Sequence, residues 1–476
     1  MTSPDTQPES LYTKREPIFP RRVKGSFRTL KWWLMAVTLG IYYITPWLRW
    51  DRGPSLPDQA VLVDMANRRF FFFMIEIWPH EFYFVAGLLI MAGLGLFLFT
   101  SAAGRVWCGY ACPQTVWTDL FILVERWIEG DRNARLRLHR SKWTAEKIRK
   151  TALKWTSWLL IGLATGGAWV FYFTDAPTLL KDLFIGQAHP ISYMTIAVLT
   201  ATTFLFGGFF REQICIYACP WPRIQAAMMD EDTITVGYRD WRGEPRGKLH
   251  KGELDPKQGD CIDCMACVNV CPMGIDIRDG QQLACITCAL CIDACNDVMD
   301  KIGKPRGLID YMALTDETRE REGKTPINVW KHILRPRTIM YTTLWAGVGV
   351  ALVVALFLRT EIDVNVTPVR NPTFVTLSDG SIRNTYDMRL LNKQGNDILF
   401  HISLTSDEPL RIALEGTNEL VVLVPANELK TQRVYVTAAP GSVPAASDRT
   451  DLRFWIEDLG STDRVYHDTI FNGREQ

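Results

Sequence analysis

Apolar and charged residues are segregated along most of the chain. Five nearly uniform apolar segments lie at residues 30–48, 82–103, 155–173, 191–210 and 338–358. Each has close to the roughly 20 residues that cross the hydrocarbon layer of a bilayer. Tryptophan, which favours the membrane–water boundary, is concentrated beside them. The pattern therefore predicts an α-helical membrane bundle of about five transmembrane helices.

Residues 360–476 have a different pattern, in which apolar and polar positions alternate over short stretches. Gly, Pro, Asn and Asp separate these stretches, which is typical of strands joined by turns. The stretches are residues 386–391, 398–404, 420–424, 433–437, 452–456 and 464–471. Several strands at this spacing predict an all-β antiparallel sandwich. Between the first two apolar segments, alternation at 60–64 and the apolar run 70–77 predict a hairpin.

Positive charge predicts how the segments are oriented, because Lys and Arg are enriched on the cytoplasmic side of membrane proteins. Residues 1–29 are polar and basic, which predicts a disordered cytoplasmic tail and not a cleavable signal peptide. The loop 105–154 holds 11 Lys and Arg residues, whereas 174–190 holds only Lys181. The amino terminus, this loop and residues 211–337 are therefore expected in the cytoplasm, and the carboxyl-terminal sandwich is expected outside.

The 12 cysteines are confined to the region between Cys108 and Cys295 and fall into short, regularly spaced runs. Two runs have the spacing C-x2-C-x2-C-x3-C; they are Cys261, Cys264, Cys267 and Cys271, and then Cys285, Cys288, Cys291 and Cys295. In bacterial ferredoxins this doubled run binds two 4Fe–4S clusters, and the fourth cysteine of each run ligates the other cluster. A pair of zinc knuckles is the alternative, but zinc sites do not normally need two four-cysteine runs.

The spacing therefore predicts two 4Fe–4S clusters in a bacterial-ferredoxin-like insert. The ligands expected for one cluster are Cys261, Cys264, Cys267 and Cys295, and those expected for the other are Cys271, Cys285, Cys288 and Cys291. The reducing cytoplasm keeps such thiols free of disulfides, which agrees with the orientation predicted from charge.

These patterns together predict five parts of the chain. They are a cytoplasmic tail (1–29), a four-helix membrane core (30–229), a cytoplasmic ferredoxin-like domain (230–337), a fifth membrane helix (338–358) and an external sandwich (360–476). The lipid bilayer is the partner that this organisation requires. The total of 53 basic and 52 acidic residues gives no basic field for nucleic acid, which is not expected as a partner.

The other four cysteines form two C-x3-C-P motifs, Cys108 with Cys112 and Cys215 with Cys219. The two motifs are offset by 107 residues and each follows an apolar segment, so the chain contains a weak internal repeat. On a helix, residues four apart share one face, and the proline after each pair disfavours continuation of the helix. Each pair is therefore expected at the cytoplasmic end of a membrane helix.

Three interpretations of these pairs are open from the spacing. They could bind a soft metal such as Cu(I), zinc or iron–sulfur iron, in one four-thiolate site or in two sites. They could form a dithiol–disulfide exchange site, or they could only pack. The repeated Tyr-Ala-Cys-Pro context favours metal or redox chemistry. Met228 and Met229 are expected to pack more than to ligate, and His80 and His189 are expected to be structural and not copper ligands.

The order of these motifs resembles one known family. The segments GRVWCGYACPQTVW at 104–117, CIYACP at 215–220 and RGEPRG at 242–247, followed by the doubled cysteine run, are similar to those of the CcoG family. Its members, also called FixG or RdxA/RdxB, are cytochrome c oxidase accessory proteins. The resemblance covers essentially the whole chain. It implies an immunoglobulin-like domain at the carboxyl end and a location in the bacterial inner membrane.

The resemblance also implies a function. Members look like cupric reductases that supply Cu(I) for assembly of a cbb3-type oxidase, with copper as the substrate. The residues that match the motifs proposed for copper chemistry are Cys108, Cys112, Cys215 and Cys219. The implied partners are a cytoplasmic electron donor and either oxidase assembly factors or a copper transporter or chaperone; a homodimer is also considered. Two other functions stay open: a quinol-linked membrane ferredoxin that feeds a periplasmic reductase, and a non-catalytic assembly scaffold.

Overall fold

The computed structural model of the chain describes residues 17–53, 56–248, 257–359, 362–393, 396–426, 428–461 and 463–474. Contacts between residues divide the chain into two compact units. The first consists of Met1–Leu48 and Gln59–Leu352, and the second of Arg49–Asp58 and Val353–Gln476. The region predicted as a membrane core and the region predicted as a ferredoxin-like domain therefore lie in one compact unit.

The chain before the sandwich is mainly helical. Its α-helices are α1 (Ser26–Ile44), α2 (Tyr83–Ala103), α3 (Val106–Tyr110), α4 (Pro113–Glu129), α5 (Arg132–Arg140), α6 (Ala145–Val170), α7 (Ala176–Ile185), α8 (Pro190–Thr203), α9 (Trp221–Met228), α10 (Asp240–Gly243), α11 (Ala266–Val270), α12 (Leu290–Lys301), α13 (Leu314–Arg321), α14 (Val329–Ile333) and α15 (Pro336–Phe357). Two π-helices lie at Phe204–Phe210 and Ile214–Ala218, and 3-10 turns lie at Thr45–Trp47, Pro79–Glu81 and Ile277–Asp279. The strands are β1 (Val61–Asp64), β2 (Arg69–Phe72), β3 (Ile75–Ile77), β4 (Thr235–Tyr238) and β5 (Ile309–Met312).

Three helical segments among the described residues are long and apolar enough to cross a membrane, namely Pro79–Ala103, Pro190–Phe210 and Pro336–Phe357. They correspond to the second, fourth and fifth apolar segments, and they are typical of a membrane protein. The first and third apolar segments also form helices, α1 and α6. Arg28 and Lys31 in α1, and the Thr, Gly and Trp residues of α6, lower the mean hydropathy of these two helices. A total of five spans therefore stays a prediction.

The hairpin predicted between α1 and α2 is present and is extended by one strand. β1 pairs antiparallel with β2, and β2 pairs antiparallel with β3. Phe71 in β2 is buried, with only 1% of its surface exposed. The side-chain amide of Gln59 donates to the carbonyl of Phe171 at 2.6 Å. The small sheet is therefore attached to the end of α6.

Part of the tail that was expected to be disordered contacts the rest of the protein. Residues 17–25 are almost entirely without helix or strand, yet they contact the cysteine-rich region, where the N–H of Arg21 donates to the carbonyl of Asn269 at 2.7 Å. The rest of the predicted tail, 1–16, lies outside the described residues. A backbone hydrogen bond to a distant segment fixes this part of the chain, which composition alone does not indicate.

The first helix begins before the predicted boundary, at Ser26, because a carboxylate from another helix caps it. Asp293 of α12 is buried and accepts hydrogen bonds from the N–H groups of Phe27 and Arg28 at 3.3 and 2.7 Å. N–H groups in the first turn have no partner within their own helix. A Cβ at Gly25 would lie 2.2 Å from Cγ of Asp293, so this approach requires glycine.

Buried ion pairs join the neighbouring helices. Asp119 of α4 accepts two hydrogen bonds from Arg28 of α1, at 3.0 and 2.9 Å. Glu125, also on α4, pairs with Arg135 of α5 and with Arg211, which follows the first π-helix. A buried charge that loses its partner is strongly destabilising, so these pairs fix the helices relative to one another.

The cysteine-rich region is organised around a strand pair and two short helices. β4 pairs antiparallel with β5, with Thr235 opposite Met312. Ile292 of α12 and Leu308, next to β5, are each only 1% exposed and share one apolar core. Both four-cysteine runs lie between β4 and β5, so the strand pair closes the ends of the region that carries them.

The second unit is an antiparallel β-sandwich, as predicted. Its elements are β6 (Ile362–Pro368), β7 (Val375–Thr376), β8 (Ile382–Asn392), β9 (Ile398–Ser406), β10 (Leu410–Leu414), β11 (Val421–Val424), β12 (Leu429–Ala438), α16 (Val443–Ala446), β13 (Arg449–Asp458) and β14 (Arg464–Asn472). One sheet has the order β10-β12-β8-β6, with β7 beside β8, and the other has the order β11-β9-β13-β14. Tyr386, Phe400 and Phe454 are completely buried in the core of the sandwich.

All six predicted strands are present, and β6, β7 and β10 are additional. β7 has two residues, too few for an alternation to be recognised, whereas β6 and β10, with seven and five residues, are longer than β11, which was predicted. The sandwich could therefore be predicted from six of its strands, whereas its complete strand order could not.

The cap on α1 predicts a measurable loss of stability. Replacing Asp293 by Ala should lower the free energy of unfolding by about 1 kcal/mol or more, the usual effect of losing a helix cap. Thermal unfolding of the purified protein in detergent, followed by tryptophan fluorescence, measures this change.

Asp297→Ala is the matched control on the same helix. Among the described residues, Asp297 pairs with Lys301 alone, at 2.5 Å, and both side chains are largely exposed. Because exposed ion pairs contribute little, this variant should unfold close to the wild-type temperature. An equal loss in both variants would mean that the cap has no special role.

Candidate functional site

The first set of predicted cluster ligands meets around one cavity. This set, called the first cluster group, consists of Cys261, Cys264, Cys267 and Cys295, and all four line the cavity. Two of them lie in the loop before α11, one lies in α11 and one in α12. The structure therefore brings three cysteines of the first run together with the last cysteine of the second run, in the combination that the spacing predicted.

The second cluster group is built in the same way, from Cys271, Cys285, Cys288 and Cys291. Cys271 directly follows α11, and Cys291 lies in α12. Burial raises the pKa of Cys291 well above its usual value, and the nearby thiols of the other three cysteines raise it further. The four thiols are therefore close enough to interact electrostatically.

The two cysteine loops have matching backbone conformations. Asp263 and Met265 in the first run have φ of 51° and 57°, and Thr287 and Ala289 in the second run have φ of 53° and 59°. Non-glycine residues adopt this left-handed conformation uncommonly. Its occurrence at equivalent positions makes both loops curve in the same way around their cysteines.

Both donor sets suit 4Fe–4S clusters, which are held by four cysteine thiolates. Burial raises the pKa of both Cys271 and Cys295 to about 12, so these thiols need a nearby cation before they lose their protons. Iron supplies that positive charge.

The four remaining cysteines form one group, which we call the thiol group. Its members are Cys108, Cys112, Cys215 and Cys219. Burial raises the pKa of Cys215 to about 12, and the thiols of the other three members contribute to this increase. The internal repeat therefore brings both C-x3-C-P motifs to the same place, a point that the spacing had left open.

The helix before each motif ends ahead of the second cysteine, as the following proline had indicated. α3 ends at Tyr110, and Cys112 is extended, with φ −60° and ψ 129°, directly before α4. Pro113 begins α4, where its missing N–H costs no hydrogen bond. In the second motif, Cys215 lies in a π-helix and Cys219 is extended after it, with φ −79° and ψ 125°. Each proline thus marks a break between helices and not only the end of one.

α3 packs directly on the loop of the second cluster group. A Cβ at Gly109 would lie 2.6 Å from the carbonyl oxygen of Ile286 and 3.0 Å from Cα of Cys288, so the approach requires glycine. The hydroxyl of Tyr110 donates to the carbonyl of Cys288 at 3.2 Å. The thiol group therefore adjoins the second cluster group. In the first cluster group, by contrast, Cys264 is exposed.

Arg105 and Gln225 are buried polar residues that the sequence analysis did not single out as functional. Arg105 is 3% exposed, and its guanidinium donates to the carbonyl of Leu283. Gln225 is 1% exposed, accepts a hydrogen bond from the thiol of Cys108 at 3.2 Å and donates to the hydroxyl of Thr100 at 3.2 Å. The position of Arg105, three residues before the first cysteine of the first motif, is the feature of the sequence from which its role could have been inferred.

The methionine and histidine candidates have positions that agree with structural roles. Met228 ends α9, and Met229 follows it. Nδ1 of His189 accepts a hydrogen bond from the first turn of α8 at 3.3 Å, so this residue caps the helix. His80 lies in a 3-10 turn, with its Nε2 3.8 Å from a carboxylate oxygen of Glu81.

Three parts of the chain match known families. Residues 84–132, which include Cys108 and Cys112, match a family described as a 4Fe-4S binding domain. Residues 210–314 match a family described as a 4Fe-4S dicluster domain. Residues 352–474 match a family described as an IG-like fold at the C-terminal of FixG. The predictions of an iron–sulfur insert and an immunoglobulin-like sandwich are thereby confirmed.

The chain is also similar over nearly its whole length to curated bacterial proteins. It is 77% identical to protein RdxB of Cereibacter sphaeroides over 475 residues, covering 100% of both chains. It is 67% identical to protein RdxA of the same organism, covering 95% of this chain and 96% of the other. It is 51% identical to the nitrogen fixation protein FixG of Rhizobium meliloti, covering 97% and 94%. This chain therefore belongs to the CcoG (FixG/RdxA/RdxB) family, as its motifs had indicated, and is an iron–sulfur electron-transfer protein.

Proposed function

We propose that this protein reduces Cu(II) to Cu(I) at the thiol group, and that the Cu(I) serves the assembly of a cbb3-type oxidase. The observation that carries the proposal is the meeting of four thiols directly beside the second cluster group. Reduction of a soft metal ion needs soft ligands and an adjoining one-electron carrier. The junction between α3 and the cysteine loop supplies both in one place.

The thiol group favours the reduced form of copper. Thiolates are soft ligands and select Cu(I). The thiols release their protons when copper binds. The reduction step itself adds one electron to Cu(II) and neither forms nor breaks a bond to hydrogen, so it needs no general base. Gln225 holds the thiol of Cys108 through a hydrogen bond and is itself held by Thr100, which orients one of the four ligands.

The residues around the two cluster groups have separate tasks in this proposal. When bound, the clusters supply one-electron transfer between an electron donor and the thiol group. Cys264 is exposed, so the first cluster group is the part that a donor protein can approach. Gly109 and Tyr110 keep α3 against the second cluster group. Copper would therefore bind at the opposite end of this arrangement from the donor.

We further propose a location in the bacterial inner membrane, with both cluster groups on the cytoplasmic side and the sandwich in the periplasm. The three long apolar helices and the basic loop 105–154 support this orientation. The donor is then a cytoplasmic protein. The sandwich offers a docking surface for oxidase assembly factors, or for a copper transporter or chaperone, and a homodimer is the oligomer to test first.

The proposal predicts that copper reduction depends on the thiol group and not on nearby methionine sulfur. The protein is purified anaerobically with its clusters reduced and is then mixed with Cu(II). The visible absorbance should show the clusters becoming oxidised, and one Cu(I) ion should form for each electron that the clusters lose. The double variant Cys108→Ala, Cys215→Ala should keep its clusters and form no Cu(I). Met229→Leu is the control, because Met229 lies outside the thiol group, and it should react at the wild-type rate.

Three results would contradict the copper proposal. If the double variant reduces copper at the wild-type rate, the thiol group is not the site. If wild-type clusters stay reduced with Cu(II) but are oxidised by a quinone, the protein is a quinol-linked membrane ferredoxin. Normal oxidase assembly in cells that carry Cys264→Ala and Cys288→Ala would instead indicate a non-catalytic scaffold.

The close contact at Gly109 predicts that a substitution there slows copper reduction. Gly109→Ala should slow copper reduction by about 10- to 100-fold, because its Cβ would push α3 away from the cysteine loop, and shifts of about 1 Å can have effects of this size. Gly93→Ala in α2 is the control, since a Cβ there meets nothing within 4 Å. Stopped-flow measurement of Cu(I) formation compares the variants. Equal rates would show that the close approach is not needed.

A further inference from the structure

Arg105 lies between the thiol group and the second cluster group. It is 3% exposed, and its guanidinium donates to the carbonyl of Leu283 in the loop before Cys285. Arg105, Cys285 and Thr287 line the same cavity, which has a volume of about 240 Å³. The side chain therefore crosses from α3 to the loop that carries the second cluster group.

The charge of Arg105 acts on cysteines of both groups. Burial raises the pKa of Cys108, and the positive charge of Arg105 opposes this increase. The cavity that Arg105 shares with Cys285, and its hydrogen bond to the loop before that residue, place the same positive charge beside the second cluster group.

The charge of Arg105 is not neutralised within the described part of the chain, where it forms no ion pair. Its Nε has no hydrogen-bond acceptor there either. The first cluster group has the opposite arrangement. Arg278, which lines the cavity of that group, pairs with Asp276 and Asp263 at 2.6 Å each. Two carboxylates therefore outweigh the arginine beside the first group, whereas no carboxylate among the described residues pairs with the arginine beside the second group.

This difference has a redox consequence. Reduction adds an electron, and a buried positive charge favours the more negative state because interactions between charges are strong where water is excluded. The reduction potential of an iron–sulfur cluster depends on local charge and on hydrogen bonds to its sulfur atoms. We propose that Arg105 is a positioning residue that raises the reduction potential at the second cluster group above that at the first, so that an added electron is held beside the thiol group.

The inference rests on the proposed cluster ligation and not on copper as the substrate. Its test is a potentiometric titration of the full-length protein in detergent, without copper, followed by electron paramagnetic resonance. The signal of the second cluster group is identified by its absence in Cys285→Ala. The titration does not depend on whether copper is the substrate. The proposal on copper reduction and the proposal on Arg105 can therefore be contradicted independently of each other.

Arg105→Gln should lower the reduction potential at which the signal of the second cluster group appears. It should leave the reduction potential of the first cluster group nearly unchanged. A tenfold change in how the electron is shared between the groups corresponds to about 59 mV for a one-electron couple, and a shift of this order is expected. Arg278→Gln is the matched control. It removes a compensated arginine beside the first group, so it should leave the second signal in place. An unchanged second signal in Arg105→Gln would overturn the inference.

Two further variants keep the test decisive if Arg105→Gln does not retain its clusters. Arg105→Lys preserves the charge, so its second signal should stay near the wild-type potential. Gln281→Glu adds a carboxylate on an exposed residue that lines the same cavity as Arg105, so it should lower the second potential without removing the arginine. A large shift in the lysine variant, or none in the glutamate variant, would show that the charge of Arg105 does not set the potential.

Discussion

The close approach of α3 to the cysteine loop is the contact on which the arrangement of the redox groups depends. Gly109 meets the backbone at Ile286 and Cys288 at distances that leave no room for a Cβ. α3 has only five residues, so it cannot hold this position by its own hydrogen bonds. Tyr110 and Arg105 attach it to the loop from either side of the glycine. Without these contacts, the thiol group would have no fixed relation to the clusters.

The same requirement explains why the apolar helices and the cysteine-rich region form one unit. Asp293 lies in the helix that carries two of the predicted cluster ligands, and it caps α1. Arg28, next to that cap, pairs with Asp119 on α4, the helix that begins after Cys112. Buried charges tolerate little displacement, because losing a partner is costly. Buried polar contacts therefore fix the position of the apolar helices relative to the cysteine-rich region, which apolar packing alone would not do.

The arginines that precede the two C-x3-C-P motifs of the internal repeat have different partners. Arg211, before the second motif, pairs with the buried carboxylate of Glu125 and helps to hold α4. Arg105, before the first motif, contacts a neutral carbonyl and keeps its charge beside two groups of thiols. The motifs are similar in sequence, yet Arg211 pairs with a carboxylate, whereas Arg105 forms no ion pair among the described residues. Their surroundings, and not the repeat, decide the electrostatics of each half.

The sequence by itself determined the features that rest on short-range geometry. Cysteine spacing predicted two sets of cluster ligands, because tight turns bring three neighbouring sulfurs of each run together. Alternation predicted six strands of the sandwich, and apolar length predicted five membrane helices, of which the described residues contain three that are long and apolar enough to cross a membrane. Only the tertiary structure decided that Cys108 and Cys215 share one group, that residues 17–25 contact the cysteine-rich region, and that Arg105 is buried with no carboxylate partner among the described residues. Each of these depends on segments more than 80 residues apart, and local pattern contains no information about such distant contacts.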